Sequence, residues 1–268
     1  MKKLFLSLIS HIPVSRAFGR LVRIRRPRCL VRLVIRCFAG FYGINMAGYR
    51  GALADYPSLL EFFIRALDPE TRPLKTDPGL VLSPVDGTLA SLQCIDSDRA
   101  LQVKGWSYPV SELVGASEPW AEGWWLATIY LSPADYHRYH YPLDGRLESL
   151  HHMGARLYPV NAMGVSTIEK LFVKNERVVA CFASRGHRYY VTAVGATFVG
   201  SIKMEAHPEP FRPGCREACD TEVGQLEEMG RFELGSTIVL LLPKTMATPI
   251  VEPGGSVSVG DPLFRLTI

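Results

Sequence analysis

The first 54 residues contain no aspartate and no glutamate. They carry eleven basic residues, Lys2, Lys3, Arg16, Arg20, Arg23, Arg25, Arg26, Arg28, Arg32, Arg36 and Arg50, so the formal net charge of +4 hides a division. Residues 55–268 hold 19 basic against 26 acidic groups, about −7, and the chain reads as a basic arm on an acidic body. Also missing is any run of the ~18–20 apolar residues that a spanning helix needs. Arg32 and Arg36 interrupt the best candidate, and the charge-free run Cys37–Tyr49 holds three glycines. The six cysteines, at 29, 37, 94, 181, 215 and 219, lack a regular framework, which favours a reducing compartment over a disulfide scaffold. Cys215 and Cys219, with His207 upstream, lack a second ligand pair at finger-like spacing, so no metal site is expected. The opening MKKLFLSLIS lacks a small-x-small cleavage site before the arginine cluster and is not read as a secretory signal.

What is present is ordinary globular material: 47% hydrophobic and 21% charged residues exclude a disordered or collagen-like chain. At 268 residues, one large domain or two unequal parts are expected. The arm interleaves its arginines with apolar residues, which argues against a nucleic-acid arm. At ~100° per residue, Phe18, Leu21, Val22 and Arg25, or Leu30, Leu33, Val34 and Phe38, form apolar stripes edged by arginine, the pattern of a helix lying in a membrane interface. A stripe alone does not name its partner, and packing on the protein's own body is the alternative.

Residues 1–67 read as helical, with a short helix over Asp55–Leu67 capped by Asp55 and Pro57 in its first turn. Three prolines in Asp68–Pro78 mark a linker. Beyond Leu80 strands are predicted at Leu89–Cys94, Trp125–Leu131, Val178–Phe182, Tyr189–Val194, Thr197–Met204, Thr237–Leu242 and Leu263–Ile268. The expected fold is α+β and mainly β: a compact β sandwich or barrel body (68–268) preceded by an amphipathic helical membrane-binding arm (1–67). Ser83-Pro-Val-Asp-Gly-Thr-Leu and Tyr141-Pro-Leu-Asp-Gly-Arg-Leu share a Pro-x-Asp-Gly-x-Leu turn like the hairpins of biotinyl and lipoyl carrier domains.

Three places could carry chemistry. His137 and His140 stand three apart in Tyr130-Leu-Ser-Pro-Ala-Asp-Tyr-His-Arg-Tyr-His-Tyr-Pro142; on a helical turn their rings would share a face, and in a strand they would oppose. Gly235-Ser236 precedes a strong apolar strand and could equally be a turn feeding the core. It is not a hydrolase G-x-S-x-G elbow. Asp86 sits in an Asp-Gly turn, and with His140 and Ser236 it supplies the three residue types of an acid, base and hydroxyl relay.

The phrases SPVDG, KGWSYPVSELVG, YLSPADYHRYHYP, LYPVN, LFVKNERVV, VGATFVGSI and GRFELGSTIVLL, in that order, resemble the phosphatidylserine decarboxylase family of membrane-associated proenzymes. The resemblance implies that the Gly235–Ser236 bond cuts itself, leaving a β chain 1–235 and an α chain 236–268 that stay associated. It implies that His140 is the base for Ser236, that Asp86 holds the ring, and that Ser236 becomes a pyruvoyl cofactor. His137 would then return a proton after carbon dioxide leaves. The implied partners are phosphatidylserine and an anionic membrane surface on the cytoplasmic side, not nucleic acid, with a homo-oligomer left open. Alternatives are a pyruvoyl decarboxylase of another amino acid or aminophospholipid, a lipid-directed serine hydrolase, and a non-catalytic biotinyl-like membrane scaffold.

Overall fold

The computed structural model describes residue 10 and residues 18–102, 105–197, 202–233 and 236–267. The opening segment 1–9, residues 198–201 of the expected strand Thr197–Met204, and Gly235 lie outside the described residues.

The main sheet is built from β2 (Gly87–Ile95), β5 (Trp124–Leu131), β7 (Gly145–Met153), β8 (Arg177–Ser184), β9 (His187–Gly195), β11 (Arg216–Val223), β13 (Ser236–Pro243) and β15 (Ser256–Val257). All of its pairings are antiparallel, in the spatial order β11-β7-β8-β9-β13-β5-β2-β15. Two three-stranded sheets accompany it: β1 (Leu80–Leu82), β16 (Pro262–Leu266) and β14 (Ala247–Pro249), and β10 (Ile202–Met204), β12 (Glu228–Phe232) and β6 (Arg138–His140). A small ribbon joins β3 (Ala100–Leu101) to β4 (Ser107–Tyr108). Among the described residues the main sheet is open, with β11 and β15 at its edges, so the expected barrel does not close.

Both faces of the sheet are covered, which is why its centre reads as an unbroken apolar run. In β13, Ile238, Leu240 and Leu242 pack into one core with Phe264, Met229 and Phe232 from the small sheets. Val239 and Leu241 point the other way, into a second core with Leu60, Phe63 and Trp124. The sequence reading did not anticipate β7, β11 and the two-residue β15 of the main sheet, nor the short strands β1, β3, β4, β6, β12 and β14. The nine residues of β7 include Arg, Glu, Ser and two His, and an irregular register between Leu147 and Ser149 disturbs its alternation. The edge strand β11 is mostly exposed and polar, so it has little apolar signal.

The arm is less continuous than expected. A helical turn at 18–21 precedes α1 (Arg28–Tyr42), which buries Val31, Ile35 and Ala39 against Phe62. Leu30, Leu33 and Val34 of the predicted stripe are exposed. The helix expected over 55–67 is only α2 (Leu59–Phe63), and its cap is Ser58, whose hydroxyl accepts the Glu61 N–H at 3.2 Å, not Asp55. Ser58-Leu-Leu-Glu61 is a capping box, a stronger start signal than an aspartate upstream of proline.

The β body is duplicated. β1, β2, β5, β13, β14, β15 and β16 correspond in chain order and in pairing to β6, β7, β8, β9, β10, β11 and β12. The two Asp-Gly turns mark the correspondence. Asp86 accepts the Val259 N–H at 2.8 Å, and Asp144 accepts the Gln225 N–H at 2.6 Å. Gly87 pairs with Val257 and Gly145 with Val223, and neither glycine could carry a Cβ, which would sit 2.4 Å from the Tyr130 carbonyl oxygen or 2.6 Å from that of Ala183. The halves also clasp each other, since Leu82 N–H donates to the Pro142 carbonyl at 3.0 Å and His140 N–H to that of Pro84 at 2.9 Å. The second half is inserted into the first between β5 and β13.

Candidate active site

Ser236 is the first residue of β13, paired with Leu131 on β5 and Gly195 on β9, at the middle of the sheet. It is 0% exposed, and its hydroxyl has no hydrogen-bond partner among the described residues. A buried hydroxyl without a partner costs free energy, on the order of 1–3 kcal/mol, so its retention calls for a use.

His137 lies just before β6. Its backbone carbonyl accepts the Phe232 N–H at 2.9 Å, which ties it to the strand leading toward Ser236. Its Nδ1 lies 2.8 Å from the Asp135 carbonyl oxygen and must therefore carry the hydrogen. Nε2 then keeps its lone pair, and among the described residues that atom is buried with no partner. The ring centroid is 3.9 Å from that of Phe63, and burial pushes the imidazole pKa down to about 3. Thus Nε2 is a proton acceptor in the uncut chain. Returning a proton from it requires that it first receive one.

His140, on β6, is fixed on both sides: Nδ1 donates to the Leu226 carbonyl at 2.7 Å, and Nε2 accepts from the Tyr136 hydroxyl at 3.0 Å. Burial lowers its pKa too, with opposing contributions from the Leu226 carbonyl and from the charges of Glu228 and Asp86. The two rings thus sit in separate surroundings, one against Phe63 and the other against Tyr136. Leu226 offers its carbonyl from a left-handed conformation (φ 66), which a leucine rarely adopts.

The expected contact between Asp86 and the His140 ring is not made. The Asp86 carboxylate takes a two-pronged ion pair from Arg72, at 2.8 and 2.6 Å, as well as the Val259 N–H. A planar guanidinium matches a carboxylate better than a single imidazole N–H does, and the ring's own donor is already spent on Leu226. Asp86 still acts on His140 through its charge.

Two arginines that touch these groups were not anticipated from the sequence. Arg72 stands in the proline-rich linker, where nothing in the sequence marks it. Arg65 is 1% exposed, with its guanidinium 4.3 Å from the Tyr49 ring centroid. Its Nη2 donates to the carbonyls of Ala134 and Asp135, the latter shared with His137, while Nε and Nη1 have no partner among the described residues. Its positive charge also opposes protonation of His137. A lone arginine in the apolar run Phe62-Phe-Ile-Arg-Ala-Leu67 was the available signal.

A duplicated β body that begins its central strand with a buried serine hydroxyl and holds two buried histidines at and just before β6 carries the residue types of an acid-base and nucleophile site. The family model for phosphatidylserine decarboxylase matches residues 59–265. Similar chains include phosphatidylserine decarboxylase proenzymes from Nitrosococcus oceani, 39% identical over 89% of this chain and 83% of that protein, and from Anaeromyxobacter sp., 37% identical over 97% and 98%. A third, from Alkalilimnicola ehrlichii, is 39% identical over 90% and 88%. The chain belongs to the phosphatidylserine decarboxylase family.

Proposed function

We propose that this chain is a carboxy-lyase that converts phosphatidylserine to phosphatidylethanolamine and carbon dioxide, after cutting its own Gly235–Ser236 bond. The observation that carries the reading, beyond family membership, is the buried Ser236 hydroxyl, without a partner among the described residues, where the inserted half rejoins the first. The Ser236 Oγ proton goes to the His140 Nε2 lone pair once the Tyr136 hydroxyl yields that place, Oγ adds to the Gly235 carbonyl carbon, and the C–N bond breaks as the Ser236 nitrogen takes that proton, leaving an ester. Loss of the residue 236 Cα proton then expels the Gly235 carboxylate, and water converts the resulting dehydroalanine to the pyruvoyl group and ammonia. Leu226 keeps the His140 tautomer, and the charge of Asp86 supports the imidazolium that forms.

The pyruvoyl group that position 236 then provides supplies an electrophilic ketone as an electron sink for decarboxylation. The surroundings suit such a group, since buried polar atoms at position 236 and at His137 Nε2 lack partners among the described residues of the uncut chain. The anionic carboxylate and phosphodiester of the bound substrate raise the basicity of the ring, so that His137 Nε2 takes a proton from the substrate ammonium and frees the amine. The same proton is then available to the substrate Cα after carbon dioxide has left, and this supplies the donor that the neutral ring lacks at the start.

Residues 1–67 form the membrane-associating part and 68–268 the catalytic part in this reading, peripheral on the cytoplasmic side of the cell membrane. Exposed Leu21, Ile24, Leu30, Leu33, Val34 and Phe41, beside exposed arginines, support it, as a surface that pairs apolar insertion with attraction to anionic headgroups. No helix among the described residues is long and apolar enough to cross a membrane. The repeated turns support a finer description of the body as two biotinyl/lipoyl-like hairpins packed as a sandwich.

Intact mass of the purified protein tests the proposal. Expected are two chains, 1–235 and 236–268, the smaller beginning with a blocked residue. A free serine amine at its start would mean hydrolysis and no pyruvoyl group. His140→Ala should leave one uncut chain, whereas His137→Ala should cut and lose most turnover of phosphatidylserine vesicles. Normal turnover by His137→Ala would refute its assigned role, and turnover of other aminophospholipids at equal rates would refute the headgroup.

A further inference from the structure

Beside the site lies a cavity of about 610 Å³ whose walls carry Arg23, Arg25, Arg138 and Arg231 against two carboxylates, Glu61 and Glu233. Three elements of the catalytic centre build it. Arg138 follows His137 directly, and its Nε donates to the Ile64 carbonyl at 2.9 Å, next to the Phe63 that stacks on His137. Arg231 and Glu233 stand on and just beyond β12, on the run of chain leading to Ser236. Arg23 comes from the arm, where it forms an ion pair with Glu233.

The opposite wall belongs to the lipid-facing side. An apolar groove of about 270 Å³ runs between the turn at 18–24 and α1, lined by Phe18, Leu21, Val22, Leu30, Val34 and Leu59 among others. Val22 and Leu59 line the groove while their neighbours Arg23 and Leu60 line the cationic cavity, and the Leu60 N–H donates to the Val22 carbonyl at 2.9 Å across the seam. The apolar groove and the cationic cavity therefore share one wall, and Glu233 of the cavity stands three residues before Ser236. A glycerophospholipid has its acyl chain, phosphodiester and amine in that order.

We propose that the cavity formed by Arg23, Arg25, Arg138 and Arg231 is the subsite for the phosphodiester of the substrate, with one acyl chain in the adjoining groove. This deepens the decarboxylase reading and rests on it. Guanidinium groups present N–H donors in a fork that fits phosphate oxygens, and every arginine here keeps donors beyond those used on its carboxylate. Arg138 spends one Nη on Glu228 and Arg231 one on Glu205. Glu233 occupies Arg23 in the uncut chain, so the phosphodiester competes with that carboxylate for the same guanidinium.

The test uses the full chain, with Arg23→Gln and Arg231→Gln combined, and monomeric dihexanoyl phosphatidylserine without vesicles, so that membrane binding plays no part. Losing two charge-assisted contacts should raise KM by about ten- to hundredfold while kcat changes less than about threefold. Titration with glycerophosphoglycerol, a phosphodiester lacking amine and carboxylate, should show the same weakening, and Glu233→Gln should bind it more tightly than the parent. An unchanged KM with reduced vesicle binding would overturn the proposal and assign these arginines to the membrane surface. Inorganic phosphate binding more tightly than the diester would also overturn it, in favour of a free-phosphate site. Because the titration needs neither self-cleavage nor turnover, a parent chain that binds the diester but never decarboxylates would sink the decarboxylase reading and leave the phosphodiester site standing.

Discussion

The two halves of the β body solve the same problem and differ at one hairpin. In the second half, β8 and β9 are joined by Arg185-Gly186, both with positive φ, a tight turn matched to strand twist. In the first half the corresponding strands β5 and β13 have no such turn, because the chain makes the whole second half between them. Their ladder nevertheless closes in the same way, Leu131 opposite Ser236 as Ser184 is opposite His187. A cut at that place removes a connection and leaves the pairing of β13 with β5 and β9 in place. The chemistry is asymmetric too. Phe232 N–H donates to His137 as Leu266 N–H does to Gly79, and His140 stands where the first half has Leu82. The histidines stand on one copy and the serine on the other, and backbone hydrogen bonds clasp the two copies together.

The largest effect should come from exchanging the residues at that hairpin. Ser236→Ala is expected to abolish cleavage, while His187→Ala, at the matching position, leaves cleavage complete on a denaturing gel. Under native conditions the cut wild-type chains should run as one species, since β13, β15 and β16 of the α chain make four pairings with β5, β9, β2 and β1 of the β chain. Cleavage that survives Ser236→Ala, or stops in His187→Ala, would end the functional distinction between the halves.

Acid should separate the halves next. Burial holds the His137 pKa at about 3 and lowers that of His140, whereas an imidazole in the unfolded chain titrates near ~6.5. Below ~6.5 the unfolded state binds more protons than the folded one, so stability is complete above that pH and is lost as pH falls toward the folded values. In the uncut Ser236→Ala chain, urea midpoints at pH 7, 5.5 and 4.5 should therefore decline. His137→Asn, which keeps a donor for the Asp135 carbonyl, should reduce the slope by up to ~1.4 kcal/mol per pH unit. An unchanged slope would show that the ring is not held neutral.

Most of the sheet was legible because its central strands are buried on both faces and carry long β-branched and leucine runs. The edge strand β11 and the polar β7 were not, since their pairing is set by neighbours distant in sequence. In the candidate site, Asp86, His137, His140 and Ser236 were singled out from their phrases, and the residue types of Asp86, His140 and Ser236 suggested a direct relay. The wiring was not legible: Arg72 on Asp86 and Leu226 on His140 join residues 14 and 86 positions apart, through a linker and a carbonyl that leave no side-chain signature. The repeated Pro-x-Asp-Gly-x-Leu phrase was read only as a shared turn, and the duplication it marks emerges from the strand pairing.

The smallest expected difference lies between the two aspartates of those phrases. Asp144→Asn keeps an oxygen for the Gln225 N–H and loses no ion pair seen among the described residues, so a cost within ~0.5 kcal/mol and normal cleavage are expected. Asp86→Asn also keeps an oxygen for Val259, but it strips the partly buried Arg72 of its carboxylate; allowing for solvent screening, that costs about 1–2 kcal/mol. Its effect on cleavage discriminates between two wirings. Where an aspartate alone fixes the histidine tautomer, the amide substitution costs ~10⁴ in rate because the wrong nitrogen carries the hydrogen. Here the Leu226 carbonyl fixes it, and Asp86 contributes charge at a distance. Asp86→Asn should therefore slow self-cleavage by only about ten- to hundredfold, measured as the rate at which the 236–268 chain appears. A ~10⁴ loss would mean that Asp86 leaves Arg72 and reaches the ring in the reacting state, and the two Asp-Gly turns would then differ in contact as well as in charge.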